Sequence, residues 1–112
     1  MKKPKLNIGS FYKAYGGPAH PALIIAYDSK HKTYISLKFG TSQGSHMTEI
    51  HPIQKGYSVS YVRNRPFEGT IDDYGSKELL GLYIDERDSA LLEAIKTRTP
   101  DRSSRARKRY KK

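Results

Sequence analysis

The chain has 112 residues, 21 Lys or Arg against 11 Asp or Glu, a formal net charge of +10 and no cysteine. That length accommodates one small domain with one modest core, and the missing thiols exclude a disulfide scaffold, a thiolate nucleophile and a sulfur-ligated zinc site. Residues 1–13 carry four lysines and no acid, and residues 96–112 carry nine basic residues against Asp101, which leaves the body between them about neutral. A neutral body with basic ends suits a phosphate-rich partner. The lack of cysteine fits a cytoplasmic protein. The longest run without formal charge, Ala14 to Tyr27, is too short to span a bilayer, and Met1-Lys2-Lys3 is not followed by the apolar segment of a signal peptide, so no membrane partner is expected.

In chain order, residues 1–7 read as a basic leader that Pro4 keeps irregular. A first strand is expected in NIGSFYKA, followed by the loop AYGGPAHP, whose glycines and prolines suit either close backbone approach to a ligand or an ordinary connection. The stretch from His20 to Thr41 organises the chain. Pro21 to Tyr27 is a nearly continuous apolar run, as in a central strand, and Asp28, Ser29 and Lys30 mark a reversal. Thr33 to Phe39 then alternates, with Ile35, Leu37 and Phe39 on one face and Tyr34, Ser36 and Lys38 on an expected wet face. GTSQGSH follows with a dense set of small polar groups, and Met47 to Ile53 reads as an edge-like strand.

Alternation resumes through Tyr57, Val59 and Tyr61, and Arg63 and Arg65 bracket Asn64 before Pro66 ends the run. Those two guanidiniums, near a strand end, suit a phosphate or plain solvent. Residues 67–77 read as an acidic, glycine-bearing loop, and Glu78 to Ile84 as a last strand. One helix is expected over Arg87 to Arg98, capped by Asp85 or Asp88 and packed through Ala90, Leu91, Ala94 and Ile95. After Pro100, DRSSRARKRYKK lacks regularly spaced apolar residues and is expected to be a disordered basic tail. Its Arg102, Arg105, Arg107, Lys108, Arg109, Lys111 and Lys112 would contact nucleic acid or simply be solvated. The expected organisation is a leader over 1–7, one mainly β domain of α+β type over 8–99 with a single closing helix, and the tail over 100–112.

HExxH, GxxxxGK[ST] and CxxC are all absent, and His20, His31, His46 and His51 follow no ligand pattern, so neither a metal nor a cofactor is expected. Acid–base chemistry is the better reading. Histidine exchanges a proton near neutrality, and His20 before one strand and His46 after the next are expected at one end of the sheet with Thr41 and Ser42. RNA carries its own nucleophile in the 2′-hydroxyl, so cleavage needs mainly a base, an acid and cations around the phosphoryl group. The competing reading is a half-buried His20 satisfied by backbone.

AYGGPAHPALIIAYD, YISLKFGTS and HMTEIHPI together resemble the MazF or PemK-like family of bacterial ribonuclease toxins, over about residues 8–65. The resemblance implies a small SH3-like barrel, a homodimer, metal-independent cleavage of single-stranded RNA leaving a cyclic phosphate, and an antitoxin partner. It places His20 where the family has a catalytic arginine before the proline, and Thr41, with Ser42 beside it, at the family's strand-end threonine. The expected function is a toxin-type endoribonuclease. In it, His20 is base or acid, Thr41 positions the phosphate, Ser42, Arg63 and Arg65 bind it, and His46 is a second acid–base group. The alternative is a non-catalytic nucleic-acid-binding or assembly protein with a basic arm.

Overall fold

The computed structural model describes residues 5–15 and 19–111; Gly16, Gly17 and Pro18 of the first loop, residues 1–4 of the leader, and Lys112 lie outside them. β2 (His20–Asp28) and β3 (Thr33–Gly40) form the central antiparallel pair that the sequence predicts. Asp28 makes the reversal. Its Oδ1 accepts from the backbone N–H groups of Lys30 at 3.0 Å and His31 at 3.2 Å, its Oδ2 lies 2.7 Å from His31 Nδ1, and Lys32 closes the turn at a φ of 56°. A carboxylate that satisfies the next amides holds such a turn without help from the sheet.

β1 (Phe11–Ala14) pairs with the free edge of β2, and β7 (Tyr74–Leu79) with β1. The other edge of β3 forks. Its residues 39–40 pair with β5 (Ser60–Arg63), and its residues 34–36 with β6 (Phe67–Gly69). β4 (Met47–Ile50) lies outside β5, and β8 (Asp101–Arg102) runs parallel to β6. The order is therefore β4-β5-β3-β2-β1-β7, with β6 and β8 branching from β3.

This sheet corrects the expected SH3-like barrel. The terminal strands β4 and β7 do not pair, so the sheet stays open, because β3 divides its outer edge between two partners instead of curling toward closure. The expectation of one helix also fails. α1 (Ser89–Lys96) is joined by α2 (Ser104–Tyr110), in the stretch that looked too polar for regular structure. Charge and one small residue hold α2. Ala106 is fully buried, and the Ser103 hydroxyl accepts from Ala106 N–H at 3.0 Å while donating to Asp73 at 2.6 Å. β6 and most of β7 likewise fall where a loop is expected, and the predicted last strand ends at Leu79, beyond which Leu82 makes a single bridge to Gln54.

The sheet is covered on both faces. Tyr12, Ala14, Ala22, Ile24, Tyr34, Phe67 and Tyr74 pack on one. On the other, Phe11, Leu37, Phe39, Ile50, Ile53 and Val62 meet Leu92 and Ile95 of α1. The helix buries a stripe through Leu92 and Ile95, with Leu91 beside it, while Ala90 and Ala94 stay exposed. Asp85 accepts from Arg87 N–H at 2.9 Å and caps the 3-10 turn that leads into α1; Asp88 is used instead to take both the backbone N–H and Nδ1 of His51. Burying Leu37 or Phe39 this completely is worth about 2 kcal/mol each in transfer free energy. The expected wet face of β3 is thus buried as well, and Lys38 is only 4% exposed.

Candidate nucleic-acid interface

Register sets the composition of the site. Ala22 pairs with Lys38, and Arg63 with Met47; one step beyond the pairs Phe39↔Val62 and Gly40↔Tyr61, Lys38 comes opposite Arg63. Strand alternation therefore puts Lys38 and Arg63 on one face of neighbouring strands. The same step along β2 and β3 brings His20 opposite Gly40. There a Cβ would lie 3.6 Å from His20 Nδ1 and 3.3 Å from Met47 Cε, so glycine is what lets the imidazole and the thioether approach across the strand.

Electrostatics join the three basic groups. Burial, followed by the charges of Lys38 and Arg63, pushes the partly buried His20 below its ordinary value, against a weaker upward pull from a backbone hydrogen bond at Phe39. Lys38 is pushed down by burial first and by Arg63 second, and the charges of Asp101 and Asp73 only partly offset this. The Lys38 ammonium lies 4.6 Å from the centroid of the Phe67 ring, a cation–π contact, and has no ion pair or hydrogen bond to another described residue. No fully enclosed side-chain nitrogen or oxygen among the described residues lacks a partner, so this ammonium keeps a small opening to the outside.

Two hollows flank that row. His20, Thr41 and Ser42 line one, with Pro21, Gly40 and Met47. His46 does not join them; it lines the other, a cleft of about 220 Å³, with Arg63, Asn64, Arg65 and Asp101. Arg63 lies 3.7 Å from Asp101, a loose pairing between two half-exposed groups. Arg65 donates to the carbonyl of Thr99 at 3.3 Å, and Arg98 donates to that of Asn64 at 2.8 Å, which ties the cleft rim to the end of α1. The Thr48 hydroxyl donates to the Asn64 side chain.

The basic residues after Pro100 divide into two sets. Arg102 bonds Glu68 at 3.1 Å, and Arg105 bonds Asp73 at 2.8 Å, so both are occupied within the fold. Arg107, Lys108, Arg109 and Lys111 are exposed and make no ion pair among the described residues. Tyr110 is held within the fold as well: it stacks on His31 at 3.7 Å and donates to Glu68 at 2.5 Å. Lys38 is the residue that the sequence reading missed. Its place in the strand was legible, but it is covered by Phe67 of β6, which was hidden in an apparent loop. Among the described residues no group of three or more His, Cys, Asp or Glu is placed to hold a metal ion, and no helix is long and apolar enough to cross a membrane.

No protein-family model, curated protein or solved structure matches this chain. The resemblance to MazF or PemK-like toxins is therefore corrected on both counts, by the comparisons and by the open sheet, and the toxin-type cleavage, antitoxin and homodimer that it implied no longer have it as their support. Short glycine, proline and apolar strings recur wherever a loop enters a strand, which is why they resembled a family signature here.

Proposed function

We propose that this chain binds nucleic acid through the cleft of His46, Arg63, Asn64 and Arg65, with the exposed basic face of α2 adding sequence-independent affinity. The observation that carries the reading is the cleft's composition. Two guanidiniums, an amide and an imidazole converge there against a single, loosely paired acid, Asp101. Guanidiniums fork onto phosphate oxygens, and a net charge of +10 attracts a polyanion over distance. Single-stranded RNA and single-stranded DNA are the first ligands to test, by fluorescence anisotropy over a salt series. Binding that weakens steeply with salt, and that weakens further in Arg63→Gln and Arg65→Gln, supports the reading; binding insensitive to both substitutions rejects it.

A second reading, metal-independent cleavage of RNA, draws on His20. An imidazole held below its ordinary value is neutral at neutral pH and can accept a proton, and Thr41 and Ser42 line the same hollow. In that reaction the 2′-hydroxyl gives its proton to His20 as its oxygen bonds to phosphorus. The bond from phosphorus to the 5′-oxygen breaks, the leaving oxygen takes up a proton, and a cyclic phosphate remains. Labelled single-stranded RNA incubated with the protein in excess chelator decides the matter: cyclic-phosphate products that vanish in His20→Ala support cleavage, and intact RNA leaves binding alone.

A further inference from the structure

Lys38 is the feature that neither reading above requires. A lysine 4% exposed, with no carboxylate and no hydrogen-bond acceptor among the described residues, is uncommon because burial strips the ammonium of water and normally has to be matched by a partner. Here the nearest charged neighbour across the strand is Arg63, which is also positive, and the third group of the row, His20, is a further proton donor when charged. The neighbouring carboxylates do not complete it. Asp101 is shared loosely with Arg63, Asp73 is occupied by Arg105 and Ser103, and Glu68 by Arg102, Thr33 and Tyr110.

We propose that Lys38, Arg63 and His20 form a seat for a phosphomonoester dianion, and that the chain thereby recognises the phosphorylated end of a nucleic-acid strand. This rests on the nucleic-acid reading and narrows it. An internal phosphodiester carries one negative charge, and the exposed arginines of the cleft suffice for that. A terminal phosphate carries close to two at neutral pH. It therefore matches two fixed cations and an imidazole that takes up a proton as the dianion arrives. The hollow beside the seat, lined by Thr41, Ser42 and Met47, is open, so the rest of the strand has a way out of the site.

The test uses one labelled single-stranded oligonucleotide in three forms: with a 5′-phosphate, with a 3′-phosphate, and with hydroxyls at both ends. One phosphorylated form is expected to bind roughly tenfold tighter than the hydroxyl form, the effect of one or two charge-assisted hydrogen bonds. Inorganic phosphate should erase that preference by competition. Lys38→Met, which keeps the volume of the stem, should erase it too, as should Arg63→Gln, whereas Lys77→Gln on exposed β7 should keep it. The imidazole resonances of His20, followed by NMR, should move toward the protonated position when inorganic phosphate is added to the wild-type protein and stay put in Lys38→Met. Equal affinity for all three forms, with His20 unmoved by phosphate, overturns the seat while leaving nucleic-acid binding in place. If no form binds at all, the nucleic-acid reading fails and takes this inference with it, whatever His20 does.

Discussion

Glu68 and Lys38 are both almost wholly buried, at 1% and 4% exposure, and the fold treats them in opposite ways. Around Glu68 the chain assembles a full set of donors: Thr33 at 2.5 Å, Arg102 at 3.1 Å and Tyr110 at 2.5 Å, with the last two delivered by β8 and α2 from more than thirty residues away. Asp73, close by, receives Thr70 N–H, Ser103 and Arg105. Around Lys38 there is an aromatic face and the positive charge of Arg63, which the charges of Asp101 and Asp73 only partly offset. Buried charges are tolerated when paired and are costly when not. The chain completes one within the fold and leaves the other without a carboxylate partner, at a small opening through which a phosphate can reach it.

The contrast can be broken at either side. The largest effect is expected from Glu68→Ala, which strands three donors and releases the grip on α2; it should lower stability by about 3 kcal/mol, read by urea unfolding. Lys38→Met should do the reverse, raising stability by about 1 kcal/mol in phosphate-free buffer, because an unpaired cation leaves the interior and a side chain of similar length takes its place. A loss of stability on that substitution would mean that the ammonium is satisfied within the fold. Tyr110→Phe should cost about 1 kcal/mol, the worth of one hydrogen bond, while leaving the stack on His31 intact.

The smallest effect sharpens the basic side alone. Because His20 titrates below its ordinary value of 6.5 when folded, the unfolded chain binds more protons in that range. Its contribution to stability is complete above about 6.5 and is lost as pH falls from there toward the folded value. Urea midpoints measured across this window in wild type and His20→Gln should converge at high pH, and the wild type should show the steeper decline on acidification.

What the sequence revealed followed from periodicity and turn chemistry. The β2–β3 pair, the Asp28 reversal and α1 were all legible because apolar spacing and a single carboxylate determine them locally. The helical stripe was read slightly out of phase, since two adjacent alanines look apolar but gain little from burial. β6, β7 and α2 were hidden for a shared reason. Their residues are mostly polar, and what orders them is long-range: β7 pairs with β1, β6 with β3, and ion pairs from positions 68 and 73 hold 102 and 105, separations that no local pattern encodes. Gly69 shows the same limit. It reads as loop punctuation, yet a Cβ there would lie 2.8 Å from that of Asp73, so it is a packing requirement of the acidic cluster. The site residues fared likewise: His20, Thr41 and Ser42 line one hollow together, whereas His46 lines the adjoining cleft even though Met47, the residue after it, reaches the His20 hollow.

The forked edge of β3 also bears on how the chain reaches this structure. One strand pairs with β2, β5 and β6 at once, and the partners on its outer edge join it across 20 residues or more of sequence, so most of the ladder waits on long loop closures centred there. Leu37, at the middle of that strand, is expected in the folding nucleus on this topology, with α2 docking late. In a chevron measured with urea, Leu37→Ala should act mainly on the refolding arm and Ala106→Gly mainly on the unfolding arm, so that the rate of acquiring the fold and the rate of losing it are governed by different elements, the forked strand and the helix that docks beside it.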